Sequence, residues 1–172
     1  MKIPKTSGLV LWLIPAPDDF NILSALIADL SERYNTPLFS PHITLGRAPK
    51  LNQTKLIDSI KELSRTLQPQ IITCHNPVCS DSFYQKVRLP LDDNTMRRSF
   101  KSATDNHFGE EYAKQDGYHA SLMYGSISCS EINLTEIRSR TKEITSLYIQ
   151  SLAVVDINFT PVQWKVIFET KL

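Results

Sequence analysis

Apolar residues along this chain follow two spacings in turn, and the changeovers mark out its elements. Residues 8–14 (GLVLWLI) form an unbroken apolar run, as expected of a central strand, which Pro15 and Pro17 end. Asp18 and Asp19 then offer caps for a helix in which Phe20, Leu23, Ile27, Leu30 and Tyr34 recur at helical spacing. A loop through Pro37 and Pro41 leads into a short strand, SPHITLG, at residues 40–46. Residues 47–51 read as a linker, and Asn52 caps a second helix with Leu56, Ile60, Leu63 and Leu67 on its stripe, ended by Pro69. Residues 71–78 and 82–89 read as two strands around a tight Cys79-Ser80-Asp81 connection. In the second, Phe83, Gln85, Val87 and Leu89 share one face and Tyr84, Lys86 and Arg88 the other. Asp92 opens a polar helix to about Phe108, closed by Gly109. A second strand, GYHASLMYG, occupies residues 117–125. Ser130 begins a helix carrying Leu134, Ile137, Thr141 and Ile144 on one side. Residues 148–157 and 162–168 close the chain as two strands with a turn over 158–161; the last alternates Val162, Trp164, Val166 and Phe168.

Each half therefore offers strands and helices around one His-bearing strand. That echo predicts two similar α+β lobes with a cleft between them, within one domain spanning residues 1–172. At 41% hydrophobic and 22% charged residues the composition is that of an ordinary globular protein. A formal net charge of +1 supplies no long-range field for a nucleic-acid polymer or an anionic membrane, so any nucleotide-like substrate is expected to be small. The N-terminal apolar run is too short for a membrane span or a signal peptide. The expectation is a monomeric protein of the cytoplasm without a membrane partner. Cys74, Cys79 and Cys129 are odd in number and lack metal-ligand spacing. Free thiols in a reducing compartment are expected, with a local Cys74–Cys79 bridge as the alternative.

The chemistry lies in the two His strands. Each holds a His, any residue, a hydroxyl residue and Leu: His42, Thr44 and Leu45 in one, His119, Ser121 and Leu122 in the other. Strand side chains alternate, so each His shares a face with its hydroxyl about 6–7 Å along the backbone, a spacing that accommodates a phosphate. Set side by side, the strands would aim two imidazoles and two hydroxyls at one anionic group. A neutral imidazole can take a proton from water while a protonated one supplies a leaving alkoxide, the pair that opening a cyclic phosphodiester needs. The hydroxyls would hold the non-bridging oxygens. No carboxylate cluster, HExxH or cysteine pattern suggests a metal, and no cofactor is expected. A single buried His beside a hydroxyl is usually a core residue; the repetition of the pattern in two of four histidines sets His42 and His119 apart. His75 and His107 lack it and read as surface or packing residues. Trp12 and Tyr84 read either as core aromatics or as stacking platforms for a base, and Arg47, Lys86 and Arg88 as solvated cations or as phosphate-steering ones.

PHITLG and YHASLMYG resemble the paired H-x-[ST] signatures of the two-histidine (2H) phosphoesterase superfamily. GLVLWLIP, DSFYQKVRL and SLAVVDINFTPVQW are similar to the opening, middle and closing strands of its cyclic nucleotide phosphodiesterase (cyclic phosphodiesterase-like) branch. The resemblance implies a bilobal α+β fold with an antiparallel sheet in each lobe and both motifs lining the central groove. It implies hydrolysis of 2',3'-cyclic nucleotides to nucleoside 2'-phosphates, and of ADP-ribose 1'',2''-cyclic phosphate to ADP-ribose 1''-phosphate, chemistry associated with by-products of tRNA splicing. By position it makes His42 and His119 the acid/base pair, Thr44 and Ser121 phosphate ligands, and Tyr124 a substrate contact. Tyr118 and Ala120 depart from the branch, where Pro and a larger aliphatic are usual. Two rival readings remain: an RNA-end 2',3'-cyclic or 2'-5' phosphodiesterase, and a nucleotide-binding module without turnover.

Overall fold

The computed structural model describes residues 3–109 and 117–172. The apolar run becomes β1 (Leu9–Pro15), and it is apolar throughout because both its faces are covered. Leu11 and Leu13 enter the main core beneath the helices, while Val10 and Trp12 join Ala153, Val155 and Trp164 on the opposite face. The helix α1 (Pro17–Tyr34) buries Leu23, Leu26, Ile27 and Leu30. Its cap is not aspartate: Ala16 occupies that position with no side-chain cap, and Pro17 starts the helix. Pro there forgoes only an amide that lacks a partner anyway. Asp18 and Asp19 lie in the first turn, where Asp19 accepts the Tyr148 amide at 2.6 Å.

The first His strand is β2 (Ile43–Arg47), followed by α2 (Gln53–Ser64). Asn52 caps α2 by accepting the Lys55 amide, and Leu56, Ile60 and Leu63 are buried. The next strands are shorter than their apolar pattern suggests. β3 (Gln70–Thr73) stops before His75, and β4 (Val78–Cys79) resumes after Pro77, pairing elsewhere. Phe83–Gln85 coil into a 3-10 turn before β5 (Val87–Pro90), which breaks the alternation expected over residues 82–89. Asp92 caps a run of α3 (Asp93–Met96), a π-helical turn (Arg97–Lys101) and α4 (Ser102–Phe108), which Gly109 ends. The second His strand is β6 (His119–Met123). Ser128 caps a 3-10 turn (Cys129–Glu131), so the helix expected from Ser130 starts later, as α5 (Leu134–Thr141) capped by Asn133. β7 (Ser146–Asp156) and β8 (Lys165–Lys171) close the chain, and Trp164 precedes β8 instead of lying within it, after a 3-10 turn at Pro161–Gln163.

The fold is α+β with antiparallel pairing throughout. The strand order is β3-β7-β1-β2-β6-β5-β4, with β8 on the same edge of β7 as β3 but further along that long strand. The two His strands are neighbours. They join through one residue pair, Ile43 with Ala120, so the sheet is continuous there but minimally stitched. Helices cover one face of the sheet; an aromatic-lined cleft occupies the other. Among the described residues, no helix is long and apolar enough to cross a membrane.

The cysteines depart from expectation. Cys79 at the end of β4 is bonded to Cys129 in the turn before α5, Cα atoms 5.9 Å apart, and Cys74 alone is a free thiol. Three free thiols were expected and two are bonded; the alternative Cys74–Cys79 staple does not form, since Cys74 lies beside Leu91 while Cys79 meets Cys129. The composition argument for a reducing compartment rested on three free thiols and loses that support.

Candidate active site

His42 lies just before β2 and His119 begins β6; Thr44 and Ser121 follow two residues on, so strand alternation places each pair on one face. The pairing of Ile43 with Ala120 fixes the relative register, and all four side chains line a single cavity of about 160 Å³. Thr6, Val10, Trp12, Tyr84, Gln85, Tyr124, Ile157 and Trp164 complete its wall.

The two histidines are held alike. His42 Nδ1 lies 2.7 Å from the Ser40 carbonyl and His119 Nδ1 lies 3.1 Å from the Gly117 carbonyl, each acceptor two residues upstream. A carbonyl only accepts, so each Nδ1 carries the proton and donates it. That fixes the tautomer and leaves both Nε2 atoms free for proton transfer. Gly117 reaches its position with φ +75°, a backbone state most side chains resist.

His42 is 6% exposed and stacks on Trp12, ring centroids 3.6 Å apart and planes within 9°. Phe39 and Trp164 present their edges to the same imidazole, and the Tyr124 hydroxyl lies 3.5 Å from His42 Nε2. Burial pushes His42 down to about 4; the Ser40 carbonyl opposes this, and the charge of His119 adds to it. His119 is lowered too, by burial first, opposed by the Gly117 carbonyl and reinforced by Arg88. Each ring therefore disfavours a proton on the other. Both rings are thereby held toward the neutral form. Burial raises the Tyr124 phenol, which stays protonated and able to donate. Ser121 donates to the Tyr84 carbonyl at 3.1 Å, whereas the Thr44 hydroxyl has no protein partner among the described residues.

The remaining sequence candidates separate. Trp12 is 3% exposed with one face on His42, so it serves as a platform for the imidazole and not for a base. Tyr84 lines the cavity half-buried, 5.8 Å from Trp164 between centroids. Lys86 is neither solvated nor in the cavity: it is 2% exposed, with its ammonium 3.7 Å from Asp81. Arg47 donates outward to the Ser7 carbonyl. His75 is exposed, and His107 packs against Phe108 with its Nε2 3.0 Å from Ser59. Phe39 and Thr6 had no signal in their own neighbourhoods, and Trp164 only its place in the closing segment; the folded chain brings Phe39 and Trp164 to the His42 ring and Thr6 to the cavity wall. Among the described residues no group of three or more His, Cys, Asp or Glu could hold a metal ion.

A family model described as cyclic phosphodiesterase-like protein matches residues 7–169. No curated protein sequence matches the chain. Among solved structures, E. coli LigT complexed with phosphate is similar at a TM-score of 0.55 and 11% identity, covering 98% of this chain and 99% of that one. E. coli LigT complexed with 3'-AMP is similar at a TM-score of 0.55 and 10% identity, covering 96% and 98%. At such identities the likeness is one of fold.

Proposed function

The chain belongs to the cyclic phosphodiesterase-like family of 2H phosphoesterases, and from that premise we propose that it hydrolyses cyclic phosphodiesters on small nucleotides, with His42 and His119 as its acid/base pair. The substrates are 2',3'-cyclic nucleotides, opened to nucleoside 2'-phosphates, and ADP-ribose 1'',2''-cyclic phosphate, opened to ADP-ribose 1''-phosphate. The observation that carries this reading is the matched tethering of both imidazoles, Nδ1 to a carbonyl two residues upstream, at one cavity.

In this mechanism the phosphate sits between the two Nε2 atoms. The neutral ring takes a proton from the attacking water as the P–O bond forms, and the protonated ring gives one to the leaving ribose oxygen in line with it. The first ring is left protonated and the second neutral, and exchange of one proton at each with solvent resets the pair. Thr44 and Ser121 hydroxyls hold the non-bridging oxygens, and Tyr124 donates into the same space. Burial holds both rings toward the neutral form, and an anionic phosphate between them raises the affinity of either for a proton, which supplies the singly protonated pair this mechanism uses. The phosphate and 3'-AMP held by the two LigT structures support a phosphate-bearing nucleotide as the ligand class.

The test is hydrolysis of a 2',3'-cyclic nucleotide in the presence of chelator, with product regiochemistry read by phosphorus NMR. Turnover to the 2'-phosphate is expected for the wild type. His42→Ala and His119→Ala should each lower kcat by roughly 100- to 10,000-fold, the range for loss of a general acid or base. Retention of wild-type turnover by either variant would remove the two-histidine mechanism.

A further inference from the structure

At about 160 Å³ the cavity falls below the roughly 300–1,000 Å³ of typical ligand pockets, and suits the reacting phosphate and its ring more than a whole nucleotide. Whatever else the substrate carries must lie along the rim. On one side the rim is β5, the strand beyond β6. There Arg88 pairs across the ladder with Ser121, and Pro90 with His119. Cross-strand partners share a face, so Arg88 stands on the cleft side next to the hydroxyl of the second motif, while Leu89 and Ala120 turn into the core.

Arg88 is half-buried, whereas other cations that meet no carboxylate among the described residues, such as Arg47 and Arg138, are exposed. Arg33, Lys61, Lys86, Lys101 and Arg140 each meet a carboxylate. Arg88 meets none among the described residues. One end of its guanidinium donates to the side-chain carbonyl of Gln85, a cavity-lining residue, and its Nε is buried with no partner among the described residues. Guanidinium keeps its charge at every relevant pH, and a donor left buried and unpaired is costly unless a ligand satisfies it. Its charge already reaches His119, whose proton affinity it lowers.

We propose that Arg88 is a second anion subsite, which binds a phosphate of the substrate other than the one that reacts and so selects cyclic nucleotides carrying an additional phosphate or diphosphate. The inference rests on the cyclic phosphodiesterase reading above. Arg88 is not part of the cavity wall that holds the reacting group. It lies one strand further out, where a substituent on the far side of the ribose would reach. Its planar fork suits a phosphate's paired oxygens.

A matched pair of substrates isolates this contact: adenosine 2',3'-cyclic phosphate and the same nucleotide bearing a 5'-phosphate. The readout is the ratio of their kcat/KM values, in which any change at His119 common to both substrates cancels. A charge-assisted contact predicts a wild-type preference of roughly 10- to 100-fold for the 5'-phosphorylated member, shrinking as salt is raised. Arg88→Gln should reduce that ratio to about threefold or less, and Arg88→Lys should recover part of it. An absent wild-type preference, a preference intact in Arg88→Gln, or equal losses on both substrates would each overturn the proposal. Should the wild type turn over neither substrate, the proposed reaction fails by itself, and calorimetric titration with adenosine 5'-phosphate decides the subsite. Binding weakened at least tenfold in Arg88→Gln sustains it, and equal binding overturns it.

Discussion

At the scale of single residues, the arrangement that equips His42 for proton transfer also makes it sensitive to acid. The ring is sandwiched against Trp12 and faced by His119 and the Tyr124 hydroxyl, with only the Ser40 carbonyl favouring its charged form. Its folded value of about 4 lies below the ordinary 6.5, so the unfolded chain binds the proton first as pH falls. The contribution to stability is complete above 6.5 and is lost on the way down to about 4. By linkage that loss is about 3 kcal/mol between pH 7 and pH 4. Urea unfolding at the two pH values should show the wild type losing this much more than His42→Gln; equal losses would mean that the ring is not held neutral. That His42 with Thr44 and His119 with Ser121 share a face and line one cavity was legible in sequence because alternation along a strand is a local property. The stack on Trp12 was not, since it arises from β1 lying against β2, with Trp12 opposite Thr44.

At the scale of elements, α1 and α2 followed their apolar spacing because each presents its stripe to one continuous core, and β1 because both its faces are covered. Residues 82–89 did not. Ser80 donates to the Gln85 carbonyl and the Phe83 carbonyl accepts the Gly125 amide, contacts that coil the chain where alternation alone would extend it. The same segment is anchored by the Cys79–Cys129 disulfide, a pairing no spacing rule could indicate because it spans 50 residues. Closing a loop of that length restrains the unfolded chain by about 4 kcal/mol in the chain-entropy model. Paired Cys79→Ser and Cys129→Ser substitutions should therefore lower the urea midpoint substantially, and a reducing agent should do the same to the wild type while leaving the double variant unchanged. Identical midpoints with and without the bond would show that the crosslink contributes nothing.

At the scale of the whole molecule, the cleft depends on how its two walls are held together. The ladder between them is a single residue pair, Ile43 with Ala120, whereas β1 is paired with β7 along its whole length. A second connection crosses the open side. The N-terminal segment pairs Thr6 with Phe159 in the turn before β8, receives the Tyr84 hydroxyl on the Pro4 carbonyl at 2.5 Å, and receives the Trp164 indole N–H on Thr6 Oγ1 at 3.0 Å. Residues 4–6 thus strap the Tyr84 turn to the β7–β8 connection across the cavity mouth. This strap carries no periodicity and no motif, which is why the sequence did not announce it. Thr6→Val keeps the main-chain pairing and the side-chain shape but leaves the Trp164 N–H without its acceptor, at a cost of about 1–2 kcal/mol. If the strap sets the spacing of the two aromatic rings for substrate, KM for a 2',3'-cyclic nucleotide should rise several-fold and by more than kcat falls. A variant that loses stability with KM unchanged would reduce the strap to a structural tie, with no part in holding the substrate.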